Sequence, residues 1–232
     1  MIGILAGMGP KSTGPFIDKV VEQCQKIYGA KYDIDFPHMM IYSCPTPFYI
    51  DRPIDHADME RSIITGAQQL LSTGVQFIAM PCNTAHLYFQ NIQNAISVPI
   101  INMVDETIKE IPVSSKRVAI FATDATAQSG MYQESLLKNN KEFVQKESWQ
   151  TEVNQIISKI KKGEINKGAE QWNRLCSEVA ENVDAVIIAC TDLNVVSDNS
   201  MEKDIFFVDS STSLARSVVN KYLLFSNDKK VK

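Results

Sequence analysis

The chain has 232 residues, 44% of them hydrophobic, and a formal net charge of −4 from 23 basic and 27 acidic side chains. That length can bury one large core or two half-sized ones, and the interspersed charge lacks the basic footprint of a nucleic-acid binder. No apolar run approaches the ~18 residues that cross a bilayer, and the first ten residues lack the basic start and apolar length of a secretory signal, so a cytoplasmic protein with neither a membrane nor a nucleic-acid partner is expected.

Short runs rich in Val, Ile, Phe and Met alternate with longer amphipathic stretches. In chain order the pattern predicts a strand over 2–6, a helix over 15–27, a strand over 39–42, a helix over 58–72, a strand over 75–80, a helix over 85–95 and a strand over 98–102. A strand over 118–122 follows, then helices over 129–139, 151–162 and 165–181, strands over 183–189 and 205–208, a helix over 213–224 and a frayed tail from 227. Such alternation means an α/β protein with mainly parallel sheets and helices on both faces.

The pattern is doubled. Phe77-Ile78-Ala79-Met80-Pro81-Cys82-Asn83-Thr84 and Val186-Ile187-Ile188-Ala189-Cys190-Thr191-Asp192 share the order apolar strand, cysteine, threonine, helix. An earlier strand in each half ends in small and hydroxyl residues, Gly7-Met8-Gly9-Pro10-Lys11-Ser12-Thr13 in one and Ala122-Thr123-Asp124-Ala125-Thr126 in the other. The expectation is two similar three-layer lobes, pseudo-symmetric, 1–102 plus 211–232 and 103–210, with the active site in the cleft between them.

Five cysteines without a CxxC pair and without secretory context read as thiols. His38, His56 and His86 are not placed beside a cysteine at zinc-ligand spacing, so no metal is expected. Cys24, Cys44 and Cys176 read as small buried hydrophobes. Cys82 and Cys190 differ, because each follows a buried strand and precedes a predicted helix, where a helix N-terminus and the donors Asn83, Thr84 and Thr191 would favour a thiolate. Two thiols on opposite walls of a cleft suit removal of a proton from one face of a carbon and its return to the other, which is racemisation. Hydroxyls and backbone N–H groups after the strand ends would hold the charge developing on the substrate, with Thr123 among the substrate-binding candidates and Met8, Gly9 and Pro10 as a backbone wall of the site. No Schiff-base lysine is required.

These residues give the chain a resemblance to the aspartate/glutamate racemase family, nearest its aspartate racemase branch. The resemblance runs from Gly3–Pro10 through Ile41–Ser43, Asp51-Arg52, Pro81-Cys82-Asn83-Thr84-Ala85-His86, Ala122-Thr123-Asp124 and Ile160–Glu164 to Cys190-Thr191-Asp192-Leu193. It implies a two-lobed, usually dimeric enzyme that needs no cofactor, acts on an amino acid, and uses Cys82 and Cys190 as acid and base. It also implies that Arg52 and Lys161 bind substrate carboxylates, a role that suits a bidentate guanidinium and an ammonium, with Lys162 an adjacent competitor. Two departures stand out: Pro53 follows Arg52 where a small polar residue is usual, and Asp192 stands where glutamate is common. Asp192 either orients the substrate ammonium or tunes Cys190, or it is a helix N-cap. His86 either modulates Cys82 or is an ordinary hydrogen-bonded histidine.

Interconversion of L- and D-aspartate, with glutamate as a second candidate, is the expected activity. Other readings stay open: a broad-specificity amino-acid racemase, a decarboxylase or maleate-type isomerase that makes a related carbanion, and an inactive amino-acid-binding protein. Nucleotide binding fails on spacing, since Gly3, Gly7 and Gly9 do not form G-x-G-x-x-G and Pro10 interrupts a phosphate loop.

Overall fold

A computed structural model describes residues 1–49, 52–197 and 205–230. Its strands are β1 (Ile2–Ala6), β2 (Met39–Ser43), β3 (Phe77–Ala79), β4 (Ile100–Ile101), β5 (Arg117–Ala122), β6 (Glu142–Phe143), β7 (Ala185–Ala189) and β8 (Phe206–Asp209). The α-helices are α1 (Thr13–Tyr28), α2 (His56–Leu71), α3 (Phe89–Asn94), α4 (Met103–Lys109), α5 (Asp124–Gln128), α6 (Met131–Lys138), α7 (Glu147–Lys161), α8 (Ile165–Ala180), α9 (Asn194–Ser197) and α10 (Ser210–Lys230). The chain divides into two units, Met1–Met103 with Ser211–Lys232, and Val104–Ser210.

The first unit holds a four-stranded sheet in the order β2-β1-β3-β4, with every pairing parallel. The alternation along β1 and β3 sends side chains to both faces. Ile2, Ile4, Ala6, Phe77 and Ala79 pack with Phe16 and Val20 of α1 and Leu214 and Val218 of α10, while Leu5 and Ile78 pack with Met59, Ile63 and Leu70 of α2. Fully buried aliphatic side chains of this kind contribute about 1.5–3 kcal/mol each. The second unit repeats the order as β6-β5-β7-β8, again all parallel. There Ala119, Phe121, Val186 and Ile188 face Trp149 and Ile156 of α7 and Trp172 of α8, and Val118, Ile120, Ala185 and Ile187 face Val104 and Ile108 of α4 and Tyr132 of α6. Each unit is thus a three-layer α/β sandwich, as the doubled pattern predicts.

The structure corrects several element bounds. The predicted helix over 129–139 is α6 alone and starts at Met131, because Gly130 adopts φ 79°, outside helical geometry, and separates it from α5, which ends at Gln128 before the predicted helix begins. The helix predicted over 85–95 is a 3-10 turn, Thr84–Tyr88, followed by α3; Asn83 and Thr84 are weak helix formers that favour turns. The sequence pattern does not predict β6, α4, α5 or α9. The tail predicted from 227 is helical to Lys230, since α10 is anchored in the core and Phe225 stacks on Phe77 with ring centroids 5.7 Å apart.

Candidate active-site residues

In the first unit β1 and β3 are neighbours, but the chain leaves β1 toward β2 and β3 toward β4. In an open parallel sheet the usual ligand position lies beyond the carboxyl ends of the two strands at which the order reverses. The segments at that edge are Gly7–Ser12 after β1 and Met80–Thr84 after β3. Gly7 turns at φ 90°, and a Cβ there would lie 2.5 Å from the Cys44 backbone nitrogen and 2.8 Å from Ser43 Oγ, so only glycine lets the loop pass. Its N–H donates to Thr13 Oγ1 at 3.2 Å. Met8 then enters the core at 8% exposure, while Gly9 stays exposed and its carbonyl accepts from Ser12 Oγ at 2.8 Å.

Cys82 lies three residues beyond β3. Its N–H donates to the Met80 carbonyl at 2.8 Å, and Asn83 and Thr84, both buried, lead into the 3-10 turn. His86 pins this segment. The Met103 N–H donates to its Nε2 at 3.0 Å, which makes that nitrogen an acceptor; in the neutral ring Nδ1 therefore carries the hydrogen and donates to the Cys82 carbonyl at 2.8 Å. The ring stacks on Phe89 at 5.8 Å. Both ring nitrogens thus hold backbone groups. Arg52 is exposed, with its guanidinium carbon 4.3 Å from the Tyr49 ring centroid, within cation–π range. Asp51 lies outside the described residues.

The second unit reverses its order at β5 and β7. Thr123 follows β5 and caps α5, its Oγ1 accepting from the Thr126 N–H at 3.5 Å. Cys190 follows β7 directly and precedes a 3-10 turn, Thr191–Leu193. Asp192 sits inside that turn, with Cys190 in the capping position, so the N-cap alternative for Asp192 is not what the turn adopts. Its carboxylate pairs instead with Lys161 Nζ at 2.8 Å, which brings two predicted site residues together. Lys162 is the exposed residue that ends α7. Both cysteines were expected at helix N-termini; each precedes a 3-10 turn of five or three residues instead, which aligns few peptide dipoles.

Sequence reasoning missed Gln150 and Asn154 on the same helix. Gln150 Nε2 donates to the Ala122 carbonyl at 2.9 Å and to Asn154 Oδ1 at 3.1 Å, and Asn154 Nδ2 donates to both Asp124 carboxylate oxygens at 2.9 and 3.0 Å. These bonds fix the loop that carries Thr123. The signal was available, since Gln150, Asn154 and Lys161 recur at helical spacing on one face of α7.

All five cysteines are buried thiols, but unequally. Cys24 and Cys176 are fully buried and Cys44 is 4% exposed, against 9% for Cys82 and 8% for Cys190. Burial pushes the Cys24 and Cys44 thiols above their ordinary value, and Cys44 Sγ contacts the Ser62 carbonyl at 3.5 Å. Among the described residues no group of three or more His, Cys, Asp or Glu side chains is arranged to hold a metal ion, and no helix is long and apolar enough to cross a membrane.

The family model for Asp/Glu/Hydantoin racemase matches residues 5–218. A protein of Bacillus subtilis (strain 168) named broad specificity amino-acid racemase RacX is 54% identical over 98% of this chain and 100% of its own length. Among solved structures, Picrophilus torridus aspartate racemase superposes with a TM-score of 0.78 at 28% identity, covering 95% of this chain and 93% of that one. Glutamate racemase isoform RacE1 of Bacillus anthracis shares the fold, with a TM-score of 0.68 at 15% identity over 97% of this chain and 82% of its own.

Proposed function

The chain belongs to the Asp/Glu/Hydantoin racemase family and is an amino-acid racemase, and we propose that it inverts a broad range of amino acids, aspartate among them, through proton exchange at Cα by Cys82 and Cys190. The observation that carries this is topological equivalence: Cys82 follows β3 and Cys190 follows β7, the third strand in each sheet order, and both strands border the point where the order reverses. They are also the least buried of the five thiols.

One cysteine starts as thiolate and takes the Cα proton. The second starts as thiol and gives a proton to the opposite face, so that configuration inverts and the two sulfurs end with exchanged protonation states. Charge left on Cα delocalises into the substrate carboxylate, where hydroxyl and N–H donors at the strand ends stabilise it; Thr123, Asn83, Thr84, Thr191 and the Met8-Gly9 backbone are the groups assigned. Arg52 is assigned to a substrate carboxylate. The scheme asks nothing of a cofactor, because the thiols do the proton transfer that a Schiff base would otherwise make easier.

Breadth is favoured over aspartate alone by the 54% identity to a broad specificity racemase across the full chain, where the aspartate racemase match is at 28%. A cytoplasmic location and a homodimer belong to the same proposal, the second checked by light scattering. The test is chiral analysis of L- and D-forms of aspartate, glutamate, alanine and lysine incubated with the enzyme, with carbon dioxide monitored in parallel. Convergence on equal mixtures from both directions for several side chains supports the proposal. Conversion of aspartate only narrows it, and carbon dioxide release or binding without inversion overturns it in favour of a decarboxylase or a binding protein.

A further inference from the structure

Lys161 and Asp192 come from different elements, 31 positions apart by their residue numbers, and meet at 2.8 Å where the sheet of the second unit ends. Asp192 is two residues from Cys190 on the turn after β7, and Lys161 closes the last turn of α7. The Lys161 side chain is partly sheltered. The Lys161 side chain is 31% exposed and that of Asp192 23%, whereas the cationic side chains of the helix-surface pairs at Lys26, Arg61, Lys109 and Lys167 are 65–71% exposed. Charges held partly out of water act on a neighbouring ligand more strongly than surface charges do.

Resting on the racemase reading above, we propose that the Lys161–Asp192 ion pair is the specificity-determining element that lets this enzyme accept side chains of different charge. An ammonium presented alone beside the Cys190 turn would select amino acids with an anionic side chain, and a carboxylate alone would select cationic ones. Joined at 2.8 Å they cancel, so neither class gains a net counter-charge and neutral side chains meet no stranded ion.

The prediction is reciprocal. Asp192→Asn keeps the side-chain shape and leaves Lys161 uncompensated; the ratio of kcat/KM for aspartate over alanine should rise about tenfold, the effect of a contact worth about 1.4 kcal/mol, and the ratio for lysine over alanine should fall. Lys161→Gln should do the opposite. The exchanged double variant, Lys161→Asp with Asp192→Lys, should return both ratios toward wild type. Ratios are the readout because either substitution can slow all turnover through Cys190, and a purely structural pair would slow every substrate alike. Where a variant turns over too slowly, the same ratios are read from calorimetric dissociation constants for aspartate, lysine and alanine. Unchanged ratios in both single variants overturn the inference while leaving the racemase reading intact; a wild-type enzyme inert on all three amino acids overturns the reading and the inference together.

Discussion

His86 holds two backbone groups, and its removal separates stability from chemistry. The ring is 6% exposed, donates from Nδ1 to the Cys82 carbonyl at 2.8 Å, accepts from the Met103 N–H at 3.0 Å and stacks on Phe89. Two hydrogen bonds at about 0.5–1.5 kcal/mol each, with the lost stacking and the cavity left by a buried ring, put His86→Ala at roughly 3–5 kcal/mol. That is a large fraction of the ~5–15 kcal/mol stability of a typical protein. Two milder variants divide the roles. Asn places an amide where Nδ1 stood and keeps the donor to Cys82; Gln places an acceptor where Nε2 stood and keeps the bond from Met103. Urea unfolding should show both intermediate in stability. Steady-state racemisation should separate them: His86→Gln loses the pin on Cys82 and about 10–100-fold in kcat with KM little changed, as a misplaced reacting group does, whereas His86→Asn stays within about threefold of wild type. Equal kcat in the Asn and Gln variants, or wild-type kcat in Gln, would refute the claim that this bond positions the thiol.

Two further outcomes follow from geometry elsewhere. Gly7→Ala forces a Cβ to 2.5 Å from the Cys44 nitrogen at φ 90° and should cost roughly 2–5 kcal/mol; Gly168→Ala, inside α8 where the added carbon meets Ile160 at an ordinary 3.5 Å, should stabilise by ~0.5–1 kcal/mol. Denaturant midpoints that shift the same way for both would contradict the packing described. Asp184 accepts from the N–H groups of Arg117 at 2.9 Å and Lys116 at 2.8 Å and from the Arg117 guanidinium at 3.1 Å, which holds its carboxyl below the usual range. A depressed carboxylate stabilises the fold above its unfolded-state value near ~4 and loses that contribution as pH falls through its folded value. Asp184→Asn should therefore cost about 1 kcal/mol at pH 7, allowing for solvent screening, with the difference from wild type shrinking as the pH is lowered below 4; a difference that is constant from pH 7 to acid would be inconsistent with the carboxylate as its source.

Much of the fold was legible because its strands are buried on both faces. β1, β5 and β7 read as continuous apolar runs, and the repeated order of strand, cysteine and threonine carried the doubling. What escaped was short or long-range. β6 is two residues, Glu142 and Phe143, too brief to show a period. Val104 and Ile108 stand four apart in α4, with Ile111 just beyond it, but seven residues at the unit boundary are too few to show a helical period. At the site, local sequence pointed to Cys82, Cys190 and their neighbours, since strand ends are marked by the change from apolar to hydroxyl and amide residues. It could not show that His86 reaches Met103 or that Lys161 meets Asp192, because those pairings depend on how separate elements pack. Residue-by-residue reading also gave too much weight to helix dipoles at the thiols, where 3-10 turns stand instead.

If two different thiols serve the two faces of Cα, deuterium incorporation from solvent reveals it. L-alanine is incubated in D2O, and at a few per cent conversion the enantiomers are separated and their Cα deuterium measured by mass spectrometry. Two bases predict D-alanine that is deuterated at Cα while the remaining L-alanine is still protiated, because the proton delivered comes from a sulfur other than the one that removed it. D-alanine that retains the original protium would mean that a single base carried the proton from one face to the other, and would contradict the account.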